Sequence, residues 1–218
     1  MRFIDLSHAI HDGLVTYPGL PAPRISEHLT REASRASYAP GTEFQIARIE
    51  MVANTGTYLD SPAHRWADGN DLSGLTLEQL ADLPGVVVDL AAGARSFSAR
   101  DLPAEDLAGR AVLVRTGWSA HFGTPRYREQ HPFVSGDAAA ELVRRGAALV
   151  GIDSLNIDDI AGGERPVHSQ LLRAGIPIVE HLTNLAALPA RGFRFFAVPP
   201  KVVGMGTFPV RAFAQVPE

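Results

Sequence analysis

The chain has 218 residues, 45% of them hydrophobic and 20% charged, a mixture that supports one large domain over residues 1–218 and lies far from that of a disordered chain. A net charge of -4 without any long basic run argues against a nucleic-acid partner, and the absence of cysteine removes disulfides, thiolate ligands and a cysteine nucleophile together. No apolar run approaches the ~20 residues of a membrane span and the N-terminus lacks the apolar core of a signal peptide, so a cytoplasmic protein with no membrane partner is expected.

In chain order, Phe3 to Leu6 reads as a short strand, after which Pro18, Gly19, Pro21, Pro23, Pro40 and Gly41 predict a first forty residues made mostly of loop. The run Phe44 to Val52 favours a strand that continues through NTGTYLD past Gly56 and ends at Pro62. Leu75 to Leu83 has near-helical apolar spacing, and Val86 to Leu90 is a β-branched strand. Ala111 to Thr116 and Ala147 to Asp153 read as buried strands on either side of a helix over Ser135 to Arg145, which Ser135 is expected to cap and Gly146 to end. A short helix from about His168 to Ala174 then leads into the strand Ile176 to Leu182, and Phe193 to Phe213 supplies antiparallel strands. Apolar strands joined by helices imply parallel βαβ crossovers within a mixed sheet, an α/β fold.

The chemistry concentrates in two segments. In an unbroken strand Asn54, Gly56, Tyr58 and Asp60 share one face, with Gly56 leaving room for a metal or substrate against the backbone, and His64 follows on even spacing. Taken alone, such an Asp-x-x-x-His is more often a turn cap beside a surface histidine. Glu180 sits among apolar residues on its strand face, where an unpaired carboxylate is costly; it needs a proton, a metal or an arginine such as Arg165 or Arg173. His168, near a helix start, is expected to remain neutral with a free nitrogen lone pair. His181 is expected on the face opposite Glu180, and His8 and Arg165 are further residues within range of the pocket. Two carboxylates and two imidazoles are the ligand and base types of a metal-assisted hydrolase. No Gly-x-Ser-x-Gly elbow, phosphate-binding loop or dinucleotide fingerprint accompanies them.

Several ordered motifs carry a resemblance over nearly the whole chain: DLSHAIHDGLVTYPG from Asp5, NTGTYLDSPAH from Asn54, RTGW from Arg115, GIDSLNID from Gly151, HSQLLRAGIPIVEHLTNL from His168 and PPKVVGMGTFPVRAFA near the C-terminus. In this set the chain resembles the cyclase family of metal-dependent hydrolases, which includes bacterial kynurenine formamidase and isatin hydrolase. The resemblance implies a swivelling β/α/β fold, hydrolysis of a small amide, formamide or lactam-like substrate, a divalent metal such as zinc or manganese, and a homodimer or larger homo-oligomer. It carries metal-ligand roles to Asp60, His168 and Glu180 and an acid/base role to His64. Asn54 and Tyr58 stand where the family signature, His-x-Gly-Thr-His-x-Asp-x-Pro-x-His, has histidines. Three readings therefore stay open: one metal on Asp60, His168 and Glu180; a metal-free site in which Tyr58 and Asn54 donate to an oxyanion; or a binding pocket without turnover. Lactone hydrolysis and ring-forming dehydration are the enzymatic alternatives. Tyr17 and Trp66, with Asn54, are the expected substrate contacts.

Overall fold

Buried β-branched runs set the frame. The computed structural model describes residues 1–217; Glu218, the last residue of the expected 1–218 domain, lies outside the described residues. Its strands are β1 (Arg2–Asp5), β2 (Arg24–Leu29), β3 (Ile46–Glu50), β4 (Tyr58–Asp60), β5 (Leu83–Asp89), β6 (Ser96–Phe97), β7 (Ala111–Arg115), β8 (Phe133–Val134), β9 (Leu149–Ile152), β10 (Ile178–Glu180), β11 (Phe193–Phe196), β12 (Thr207–Pro209) and β13 (Phe213–Val216). The helices are α1 (Arg31–Ser34), α2 (Gly136–Arg144) and α3 (Pro166–Arg173). Nine strands form one mixed sheet in the order β1-β13-β11-β5-β7-β9-β10-β4-β12. Its middle, β5-β7-β9-β10, is parallel, as the apolar strand–helix–strand pattern predicts.

Alternation along these strands fills two cores. Val112, Val114, Val150, Ile152 and Ile178 pack with Leu142 of α2 and Leu171 of α3, while Leu113, Leu149 and Val179 pack on the other face with Leu59, Phe193 and Phe195. The site lies where β10 meets β4, an antiparallel pair that sets Asp60 opposite Ile178 and Tyr58 opposite Glu180.

Several local expectations are corrected. The strand expected from Phe44 through Asp60 is two strands in different sheets: Thr55 turns its hydroxyl back to the Val52 carbonyl at 2.6 Å, and Gly56, at φ +66°, takes a left-handed conformation that ends the alternation. The space beside Gly56 is filled by Ile10, whose Cγ1 lies 2.8 Å from where a Cβ would stand. The helix expected over Leu75 to Leu83 is a single 3-10 turn, Leu77–Gln79, closed by a Thr76/Gln79 capping box; Asp82, at φ +56°, then starts β5 at Leu83. The mostly looped N-terminal segment contains β2, which pairs with β3 in an exposed two-stranded ribbon. Ser135 does stand at the start of α2, but its hydroxyl faces the Phe97 carbonyl and the Asp137 carboxylate, donating its one proton between them instead of receiving from the helix backbone.

Candidate active site and metal centre

Local sequence explains how each side chain arrives. Pro62 starts a 3-10 turn, Pro62–His64, directly after β4, so the chain curls and returns His64 toward Asp60. The His64 Nδ1 lies 3.7 Å from Asp60 Oδ1 and 2.8 Å from the Thr207 hydroxyl, which in turn bonds to Asp60 Oδ1. A hydroxyl has one proton, so Thr207 donates it to the carboxylate and accepts from His64 Nδ1–H. The Nε2 of His64 is thereby left as the basic nitrogen, on a side chain 34% exposed. Thr207 reaches this point because β12 pairs with β4, setting Thr207 opposite Asp60. Gly206 permits the approach: a Cβ there would stand 2.5 Å from the His64 backbone nitrogen.

His168, the third residue of α3, is oriented by Asp158. The Asp158 carboxylate accepts the backbone N–H groups of Val167 and His168 at 2.8 and 3.0 Å and contacts the ring Nδ1 at 2.7 Å. One carboxylate both satisfies the helix start and fixes the tautomer, directing Nε2 inward. That Nε2 lies 3.7 Å from both Asp60 Oδ2 and Glu180 Oε1. Burial lowers the His168 pKa, but Asp158, Asp60 and Glu180 outweigh it and push it up to about 10. In this arrangement, without a cation, three carboxylates outweigh the partial charge of a short helix; a cation at Nε2 requires the neutral ring expected at the helix start.

Glu180 has neither of the expected arginine partners. Arg173 pairs with Asp68 at 2.9 Å, and Arg165 binds the Gly162 carbonyl at 2.8 Å. The Glu180 carboxylate instead accepts the Ile157 N–H at 2.6 Å and the Tyr58 hydroxyl at 2.7 Å. Burial raises its pKa to about 7 against the opposing pull of His168. Burial also pushes the phenol of Tyr58 well above its ordinary range, with Glu180 and Asp60 adding to the shift, so it stays a neutral donor. For Asp60, burial works upward, but the imidazoles of His168 and His64 win and its pKa is lowered.

The residues present fit a cation. Asp60 Oδ2 is buried without a hydrogen-bond partner, and single ligand atoms of Asp60, His64 and His168 lie within 4.8 Å of one another. Asp60, His168 and Glu180 also converge, through His168 Nε2. A carboxylate-rich nitrogen and oxygen set of this kind suits a divalent ion.

The remaining expected residues divide. Asn54 faces the Tyr58 hydroxyl, and Tyr17 lies within electrostatic reach of Arg165 and Glu180, with burial raising its phenol. Trp66 instead donates its indole N–H to the Ser169 carbonyl at 3.2 Å, with the guanidinium groups of Arg65 and Arg173 against its ring. A cavity of about 440 Å³ runs between the N-terminal loop and the turn near residue 125, lined by Val15, Thr16, Pro18, Gly123, Tyr127 and Leu155. Sequence reasoning missed Asp158 and Thr207 as orienting groups. Both fall within quoted motifs, yet only the fold brings them to the imidazoles.

The ends of β4 and β10 thus hold carboxylates and imidazoles of the types that a metal-assisted hydrolase uses. The chain belongs to the putative cyclase family, whose model matches residues 4–159. It is 26% identical over 215 residues to kynurenine formamidase of Bacillus cytotoxicus, covering 98% of this chain and 97% of that one. Among solved structures it is similar to a potential metal-dependent hydrolase with cyclase activity, at a TM-score of 0.81 and 27% identity over 100% of this chain and 98% of the other. Isatin hydrolase A from Ralstonia solanacearum matches with a TM-score of 0.83 and 25% identity, over 99% and 92% of the two chains.

Proposed function

We propose that the protein hydrolyses a small amide, formamide or lactam-like substrate, acting on carbon–nitrogen bonds other than peptide bonds. The relay His64–Thr207–Asp60 is the observation that carries this reading. With Nδ1–H committed to Thr207, Nε2 of His64 takes a proton from the attacking water as the carbon–oxygen bond forms. The same nitrogen returns that proton to the leaving nitrogen as the carbon–nitrogen bond breaks. Asp60, through Thr207, stabilises the imidazolium that forms between the two transfers. Asp60, His168 and Glu180 would hold a divalent ion, which when bound would supply Lewis-acid polarisation of the carbonyl. The similarity to a metal-dependent hydrolase supports that ion. Tyr58 holds Glu180, and the cavity beside Tyr127, lined also by Thr16 and Pro18 on either side of Tyr17 in the chain, receives the substrate.

Purified protein assayed for bound metal, with formamide and lactam hydrolysis followed before and after chelation, tests the reading. Turnover that falls on chelation and returns with zinc or manganese is expected. Saturable binding of these compounds without any turnover overturns it in favour of a binding protein.

We further propose that residues 1–218 work as one domain in a cytoplasmic homo-oligomer. The β2–β3 ribbon supports this: every strand residue except Leu29 is exposed, including Ile25, Ile46 and Ile49, and two isolated strands are marginally stable in water. A second copy covers it, and light scattering on the eluted protein reads the mass.

A further inference from the structure

The geometry points to His181 and Tyr127 as positioning residues that act through Tyr58, in a directed chain of hydrogen bonds ending on Glu180; this rests on the hydrolase reading of the same site. The Tyr127 hydroxyl lies 3.0 Å from His181 Nδ1, His181 Nε2 lies 3.3 Å from the Tyr58 hydroxyl, and that hydroxyl lies 2.7 Å from Glu180 Oε2. All four residues are buried, at 4% exposure or less.

One assignment of protons satisfies every member. A carboxylate is the strongest acceptor in the chain, so Tyr58 donates to Glu180. The Tyr58 oxygen then accepts from His181 Nε2–H, with the Asn54 amide as its other neighbour. His181 Nδ1 is consequently bare and accepts the Tyr127 proton. The reverse tautomer puts the ring proton on Nδ1 and turns Nε2 into a competitor for the Tyr58 proton, leaving Glu180 with the Ile157 N–H alone. Tyr127 therefore fixes the tautomer, and the tautomer fixes which way Tyr58 donates.

The backbone supports a dedicated arrangement. His181 follows the last residue of β10 and would face away from Glu180 if the strand continued. Its φ of +56° ends the alternation, and its ring meets Tyr58, the partner of Glu180. This corrects the expectation that His181 lies on the opposite face. A non-glycine residue in the left-handed region is uncommon and costs energy that its surroundings must offset. Here the His181 carbonyl is held by the Thr57 hydroxyl at 2.6 Å. Tyr127 in turn comes from the 3-10 turn Pro125–Arg128, anchored by the Trp118 indole donating to its carbonyl at 2.8 Å. Because Tyr127 also lines the 440 Å³ cavity, the chain links the substrate wall to the carboxylate.

Nitrogen-15 NMR of histidine-labelled protein tests the proposal, with the His181 signals assigned by their loss in His181→Gln. The expected wild-type ring carries its proton on Nε2, and Tyr127→Phe moves it toward a mixture of tautomers. In turnover, Tyr127→Phe is expected to lower kcat by ~10-fold with KM nearly unchanged, the usual scale for a group that orients another. His181→Gln, whose amide can still donate to Tyr58, retains more activity than His181→Ala. A wild-type ring protonated on Nδ1, or a tautomer indifferent to Tyr127→Phe, overturns the assignment. If the wild-type protein hydrolyses none of the amides offered, the hydrolase reading fails by itself, and the ring-nitrogen spectrum still decides the positioning chain.

Discussion

Two antiparallel strand pairs in this molecule share a backbone pattern and little else. In β4–β10 every residue is buried and the carboxylates of Asp60 and Glu180 are turned inward; in β2–β3 the apolar cross-strand pair Ile25 and Ile49 faces outward beside exposed charge. Strand pairing alone confers no function. The inner pair is flanked by β9 and β12, so its charges are fixed by neighbours that also shift their proton affinities, whereas the outer ribbon has water on both faces. Substitutions in the first region should change chemistry before they change folding, and those in the second should change association before either.

The largest effect is expected at His64. His64→Ala should depress amide turnover by ~10²–10⁴-fold, the range for a positioned acid/base, with an unchanged circular dichroism spectrum; retained turnover removes His64 from the mechanism. Next is Asp158→Asn, which frees the His168 ring and should weaken divalent-metal affinity by ~10–100-fold, measured by calorimetry on chelated protein. Gly206→Ala forces a methyl against the His64 backbone and should cost about 1–3 kcal/mol by urea denaturation. A wild-type midpoint would mean that β12 yields easily. For the ribbon, Ile25→Ser with Ile49→Ser should change monomer stability by only about 0.5 kcal/mol while shifting the eluted mass toward a single chain. Loss of turnover without a change in mass would blur the contrast between the regions.

A separate effect concerns acid. Burial lowers the pKa of His8 from 6.5 to about 4. Between those values the unfolded chain binds a proton that the folded chain does not, so stability falls as pH drops through this window and levels off below it. His8→Gln should flatten that part of a stability-against-pH curve.

The middle of the fold was legible because its signals are local and repeated. Ala111–Arg115, α2, β9, α3 and β10 all lie within the ranges that apolar runs and glycine stops predict, give or take two residues. Legibility ended where one left-handed residue redirected the chain. Gly56 and His181 each end an alternation, and Asp82 a helical spacing, that the side-chain pattern alone would extend. The convergence of Asp60, His64, His168 and Glu180 was readable as a set of chemically matched residues in ordered motifs. The groups that decide their proton positions were not, since Thr207 lies 147 positions beyond Asp60 and Tyr127 lies 54 positions before His181. Such long-range partners have no periodic signature.

The bare backbone at residue 206 offers a practical marker for sorting genomic sequences. Any descendant that gains a side chain there must push its strand away from the His64 backbone, which on the proposed mechanism disturbs the base while most of the core survives. A lineage retaining the histidine but enlarging that glycine should therefore be sought among receptors and carriers, and one retaining both among catalysts.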